Sequence, residues 1–190
     1  FHVHCQVCPI DTDQFGTFSG EIERQNTPEE TLRLKCDAAI AEMGHDLCVA
    51  SEGSFGPHPL LHLINADIET VMLLDKKNKF EISATEISTQ TNLNGAELNT
   101  MEALETFATT AGFPSHGLIL RKSRTSNEDI VKGIVSYQEL LSAFERLLAD
   151  YQRVYVETDM RAMYNPTRMK LIEKTTAKLI NLLKSPCPHC

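Results

Sequence analysis

The sequence predicts an α/β fold, a mixed sheet in a mainly three-layer arrangement flanked by helices, from three observations. Apolar stretches with the period of a strand alternate with amphipathic stretches of helical period along the chain. Two β-rich runs, 67–75 and 80–87, flank Lys76-Lys77-Asn78-Lys79, a polar hairpin turn that brings an antiparallel pair into the sheet. The 190 residues carry 42% hydrophobic content, enough for one sizeable core. A single α/β domain over 1–184 is therefore expected, with a short tail at 185–190.

The elements follow in order. Residues 2–8, alternating around His2-Val3-His4-Cys5, predict a first strand. The chain is thus expected to start in the middle of a fold, with an upstream segment before it. An acidic, glycine-containing loop over 11–20 comes next. Thr27 then caps a helix, with Pro28 at its first position and Glu30 closing a capping box. Leu32, Cys36, Ala39, Ile40 and Met43 trace its apolar stripe as far as Gly44. A short apolar strand at 47–50 follows, then the hairpin. Helices are predicted at 99–111, 136–150 and 166–183, with short strands at 117–120 and 154–156. Residues 122–129 are polar enough for a mobile loop.

Composition narrows the partners. A net charge of −8 without a basic stripe argues against a nucleic-acid backbone, which is met by clustered Lys and Arg. No apolar run approaches the ~18 residues that cross a bilayer, and no signal-peptide pattern opens the chain, so a cytoplasmic protein without membrane attachment is expected. The hairpin edge at 67–87 offers a surface that a twofold partner could cover, which allows a homodimer.

Two boxes carry the chemistry. In the first, the apolar run 47–50 ends in Ser51-Glu52-Gly53-Ser54-Phe55-Gly56-Pro57-His58-Pro59. A buried strand emptying into a Gly-rich turn sets backbone N–H groups and one carboxylate at a sheet edge, where α/β folds bind ligands. In the second, Val154-Tyr155-Val156-Glu157-Thr158-Asp159-Met160-Arg161 leads to Asn165-Pro166-Thr167-Arg168. An Asn cap and a Pro at the first helical position expose N–H groups at the positive end of a helix, and Arg161 and Arg168 add cationic forks for an anion. Glu157 and Asp159, two apart on a strand end, share a face suited to Mg²⁺. A structural network pairing these two acids with the two arginines is the alternative reading.

The six cysteines read as reduced and mostly buried thiols rather than a secreted disulfide framework. Cys5 and Cys8, three apart on an extended strand, point to opposite faces and make poor joint ligands. Cys187-Pro188-His189-Cys190 has the form of half a zinc ribbon, so Cys187 and Cys190 are expected to hold Zn²⁺ in the intact protein.

Residues 28–36, then Gly44 and Ala50-Ser51-Glu52-Gly53, resemble the helix and following loop of the house-cleaning nucleoside triphosphate pyrophosphatases, the inosine and xanthosine triphosphatase group. By that register Glu30 and Lys35 match the helix Glu and Lys of the family, Thr31 replaces its Asn, and Ser51-Glu52 stands at its acidic loop. Asn165-Pro166-Thr167-Arg168 is similar to the Arg-bearing helix start that reads base or phosphates late in those chains. Over nearly the whole length, the runs Asp-Thr-Asp-Gln-Phe-Gly-Thr-Phe, Ser-Glu-Gly-Ser-Phe-Gly-Pro-His-Pro and Glu-Thr-Asp-Met-Arg-Ala-Met-Tyr-Asn-Pro-Thr-Arg resemble an uncharacterised bacterial domain family that ends in a Cys-rich, zinc-ribbon-like tail.

The triphosphatase resemblance implies that family's fold and a Mg²⁺-dependent phosphohydrolase or pyrophosphatase acting on non-canonical nucleotides. Glu52, with Glu157 or Asp159, would hold the metal and serve catalysis. Lys35, Arg161 and Arg168 would neutralise phosphate oxygens, with Ser51, Gly53, Ser54, His58 and Asn165 lining the substrate. The rival expectation is a non-catalytic module that binds a nucleotide or another small anion in the same pocket and carries a zinc-binding tail.

Overall fold

Thr27 stops the chain in an extended conformation and accepts a hydrogen bond from the Glu30 backbone, while the Glu30 side chain reaches back to the Thr27 N–H. That reciprocal box starts α1, Pro28–Met43, which ends on a left-handed Gly44 at φ 65°. The computed structural model describes residues 3–16 and 26–185. It continues through β1 (Leu47–Pro57), β2 (Asn65–Asp75), β3 (Phe80–Ser88), β4 (Gly95–Leu98) and α2 (Met101–Ala111). Next come β5 (Leu118–Arg121), β6 (Val131–Ile134), α3 (Tyr137–Tyr151), β7 (Val154–Thr158) and α4 (Pro166–Lys184).

The α/β class holds, but in place of one mixed sheet there are two antiparallel ones, ordered β1-β2-β3 and β4-β7-β5-β6. The second sheet explains why helix–strand alternation misled on this point. Because β4 and β5 both run antiparallel to β7, they are parallel to each other, joined by α2 across a one-strand gap. In the same way β6 and β7 are joined by α3 across β5. Each crossover obeys the parallel β-α-β rule, yet every hydrogen-bonded neighbour is antiparallel, a split β-α-β arrangement.

The contacts divide the chain into two compact units. The first holds the described residues up to Ser54, Ile68–Ile87, and those from Leu171 onward. Here Val71 and Ala84 of the hairpin pack with Leu179 of α4, backed by Leu73, Ile82 and Leu183. Leu32, Cys36 and Ile40 fill the buried stripe of α1. Ion pairs tie the surface, with Arg33 doubly bonded to Glu81, and Lys174 and Lys178 both on Glu86.

The second unit holds Phe55–Asp67 and Ser88–Lys170. Its core takes Leu104, Phe107 and Ala108 from α2, Leu140, Phe144 and Leu147 from α3, and Val154, Val156, Leu118 and Leu120 from the strands beneath. Alternation along β7 sends Val154 and Val156 into this core and leaves Tyr155 and Glu157 for the other face. A 3₁₀ turn, Ala162–Tyr164, links β7 to α4.

Two expectations are corrected. Residues 3–8 form no strand; Val7 is 90% exposed and Cys5 is exposed too, because alternation alone gives no ladder where no strand pairs with it. The Cys8 thiol instead approaches the Ala39 carbonyl of α1 at 4.0 Å. The strand expected to stop at Ala50 runs on as β1 to Pro57, since Gly53 and Gly56 take ordinary extended conformations rather than a turn. The expected loop over 11–20 contains a 3₁₀ turn, Asp13–Phe15, and residues 17–20 lie outside the described residues. The tail with Cys187 and Cys190 lies outside them as well. Cys5, Cys8, Cys36 and Cys48, the described cysteines, are free thiols.

Candidate functional site

The second box folds into a closed cluster where β7 ends. As the strand runs out, the Asp159 N–H donates to the Gly117 carbonyl at 2.8 Å, and the Gly117 N–H donates to the Tyr164 carbonyl at 2.8 Å. Asp159 is left facing inward with 0% exposure. Its carboxylate accepts the Arg161 backbone N–H at 3.0 Å, Arg161 Nε at 3.0 Å, Arg161 Nη2 at 2.6 Å and the Gly133 N–H at 3.1 Å.

Gly133 reaches that position through a bulge. Leu118 pairs with Ile134 but Leu120 pairs with Val131, so β6 carries one extra residue, and Gly133 turns to φ 73°. Its N–H thereby leaves the ladder for Asp159. A Cβ at Gly133 would stand 2.7 Å from Tyr164 ring atoms, and one at Gly117 2.9 Å from the Tyr164 Cβ, so both glycines admit the tyrosine. The Arg161 guanidinium lies 4.6 Å from the centre of the Tyr164 ring. Held on two sides, its side chain is still 31% exposed.

The start of α4 adjoins this cluster. Asn165 caps the helix, its Oδ1 accepting the Arg168 N–H at 3.0 Å while Nδ2 donates to Asn92 at 2.9 Å. Arg168 is turned inward, donating from Nη1 to the Met160 carbonyl at 2.7 Å and standing over the Phe55 ring. On the outer side Thr167 Oγ1 and His116 Nε2 share a hydrogen bond of 2.9 Å, and Ser115 Oγ lies 3.1 Å from His116 Nδ1.

Glu157 projects from the sheet face away from α2 and α3 and pairs with the buried Arg121 guanidinium. Burial pushes its carboxyl above the usual range, and Arg121 pulls the other way. In the first unit, Lys35 of α1 donates to Glu52 Oε2 at 2.5 Å and to the Ser51 carbonyl at 3.3 Å. Glu52 and Gly53 are buried in β1, and Ser51 and Ser54 are half-buried. His58 belongs to the turn after β1, where its Nδ1 accepts the Leu60 and Leu61 N–H groups at 3.1 Å.

The residues named from sequence thus fall into Lys35, Ser51 and Glu52 on one side, and Asp159, Arg161, Asn165 and Arg168 on the other. Each set is drawn together within its own unit. Among the described residues no three His, Cys, Asp or Glu side chains converge as metal ligands. Sequence reasoning missed Gly117, Gly133, Tyr164, His116, Thr167 and Arg121. Gly133 had a readable signal, a lone glycine between Lys132 and Ile134 in a strand-like run, which marks a bulge.

A protein-family model described as Domain of unknown function (DUF6671) matches residues 35–190. We found no match among the curated proteins and none among the solved structures.

Proposed function

The chain belongs to the DUF6671 family, and from that starting point we propose that its second unit is a binding module for a small anion of the phosphate class, with Arg161 as the principal contact. The observation that carries this reading is the state of Arg161. Its Nε and Nη2 are fixed on the buried Asp159, its plane rests on Tyr164, and a third of the side chain faces solvent. A guanidinium held in this way loses little rotamer freedom when a tetrahedral oxyanion arrives, and guanidinium N–H groups suit phosphate oxygens. The Thr167 hydroxyl and His116, hydrogen-bonded to each other, and the first turn of α4 are further polar groups of the same unit.

Calorimetric titration of the full chain with inorganic phosphate, pyrophosphate and a nucleoside triphosphate tests the proposal. Saturable binding to at least one, weakened at least about tenfold by Arg161→Ala and not rescued by Arg161→Lys, is the expected result. No binding heat with any of the three, or equal affinity in Arg161→Ala, overturns it.

One observation favours a second reading, a nucleotide phosphohydrolase centred on the first unit. The helix Lys and the strand carboxylate singled out by the triphosphatase resemblance meet as a partly buried ion pair, Lys35 with Glu52. Release of phosphate or pyrophosphate in the presence of Mg²⁺, lost in Glu52→Gln, would establish it. An equal rate in that variant would remove Glu52 from the chemistry.

A further inference from the structure

The turn between β1 and β2 exposes aliphatic side chains without being loose. The His58 N–H donates to the Ile64 carbonyl at 2.8 Å, the Ile64 N–H donates to the Leu61 carbonyl at 3.0 Å, and the His58 ring accepts the Leu60 and Leu61 N–H groups. On this pinned backbone Leu60 is 83% exposed, Leu63 100%, and Leu61 and Ile64 are exposed as well. Contiguous aliphatic surface of this kind marks an interaction site.

The same unit carries a receptor of matching chemistry. A groove of about 450 Å³ runs along α2 and β4, lined by Leu98, Ala103, Phe107, Thr106, Thr110 and Glu102. It is shallow and open to solvent, with a mostly apolar lining that suits a surface contact rather than an enclosed ligand. Asn94 lines it too, and the neighbouring Leu93 carbonyl accepts a hydrogen bond from Asn65 Nδ2, at the root of the turn. The tip therefore springs from beside the groove, yet its leucines remain in solvent.

We propose that the tip at 60–64 seats in the α2–β4 groove of a second copy, reciprocally, and so builds a twofold dimer. A tip rooted beside a groove can be exchanged with that of a second copy by a single twofold axis, which makes both contacts at once. Charge agrees with this occupant. In a chain of net charge −8, residues 57–64 hold no carboxylate, so the tip meets Glu102 of the groove without like-charge repulsion. Because the turn is already hydrogen-bonded, docking orders little additional backbone.

Sedimentation equilibrium of the full chain tests the assignment, with Leu63→Asp at the tip and Thr106→Arg on the exposed side of the groove. The wild type is expected to approach twice the monomer mass as its concentration rises. Each variant should raise the dissociation constant at least about tenfold with an unchanged urea midpoint, since both sites are exposed. An equimolar mixture of the two variants should recover part of the association, because the intact tip of one meets the intact groove of the other. A wild type that stays monomeric, or a dimer indifferent to Leu63→Asp, overturns the proposal. So does binding of a monomeric wild type to neutral phosphatidylcholine vesicles that is lost in Leu63→Asp, a result that assigns the tip to lipid.

Discussion

Asp159 and Arg161, two residues apart, close a ring in which one buried carboxylate takes the backbone N–H, Nε and Nη2 of the same arginine. The geometry makes Arg161 a fixed fork rather than a swinging surface charge. Asp159→Asn should lower unfolding stability by about 2–3 kcal/mol in urea titrations, below the value for a fully buried pair because Arg161 is partly solvated. The variant loses a negative charge beside the arginine, yet its phosphate affinity should fall, because the guanidinium is no longer held. A rise in affinity would mean that charge rather than position governs the site.

Gly133 is required twice, by its positive φ and by Tyr164 against it. Gly133→Ala should cost about 2 kcal/mol by thermal or urea unfolding. Adding Tyr164→Ala removes the contact but not the strained φ, so part of the loss should return. Full recovery would show the backbone conformation to be unimportant.

Glu157 gives a pH signature. Burial raises its carboxyl in the folded chain above the value it has when unfolded. Between those two values the folded state binds the extra proton, so stability falls as pH rises through that window. Urea midpoints taken from the ordinary carboxylate range toward neutrality should show this decline. In Glu157→Gln, whose amide does not titrate, the Glu157 contribution to the slope should vanish.

Lys35 and Glu52 form a partly buried ion pair. Either Lys35→Met or Glu52→Gln should destabilise the first unit by about 3 kcal/mol, and the double variant by less than the sum. Additive losses in the double-mutant cycle would show that the pair contributes no mutual stabilisation.

Features written in a few adjacent residues were legible before the fold was known. The Thr27–Glu30 box and Gly44 delimit α1 as expected, and the Lys76-Lys77-Asn78-Lys79 turn joins two strands. Leu32, Cys36, Ala39 and Ile40 lie on the buried face of α1 that the helical period assigns them. What was not legible depends on partners distant in sequence. Residues 3–8 alternate like a strand but have no ladder, and β4 and β6 are too short to announce themselves without β7 and β5 beside them. The site divided along the same line: Asp159 and Arg161 stand in one box, whereas Gly117 enters through backbone hydrogen bonds to Asp159 and Tyr164, and Gly133 through the bulge of β6.

Strand β7 sits between β4 and β5, hydrogen-bonded on both edges, although it is the last strand of its sheet to leave the ribosome. Until it emerges, β4 and β5 have nothing between them, and α2 and α3 have an incomplete floor. The second unit is thus expected to close late and in one step, with its hydrophobic faces uncovered until β7 is in place. A truncation that removes β7 would not trim the sheet at an edge; it would take out the strand that joins its two halves.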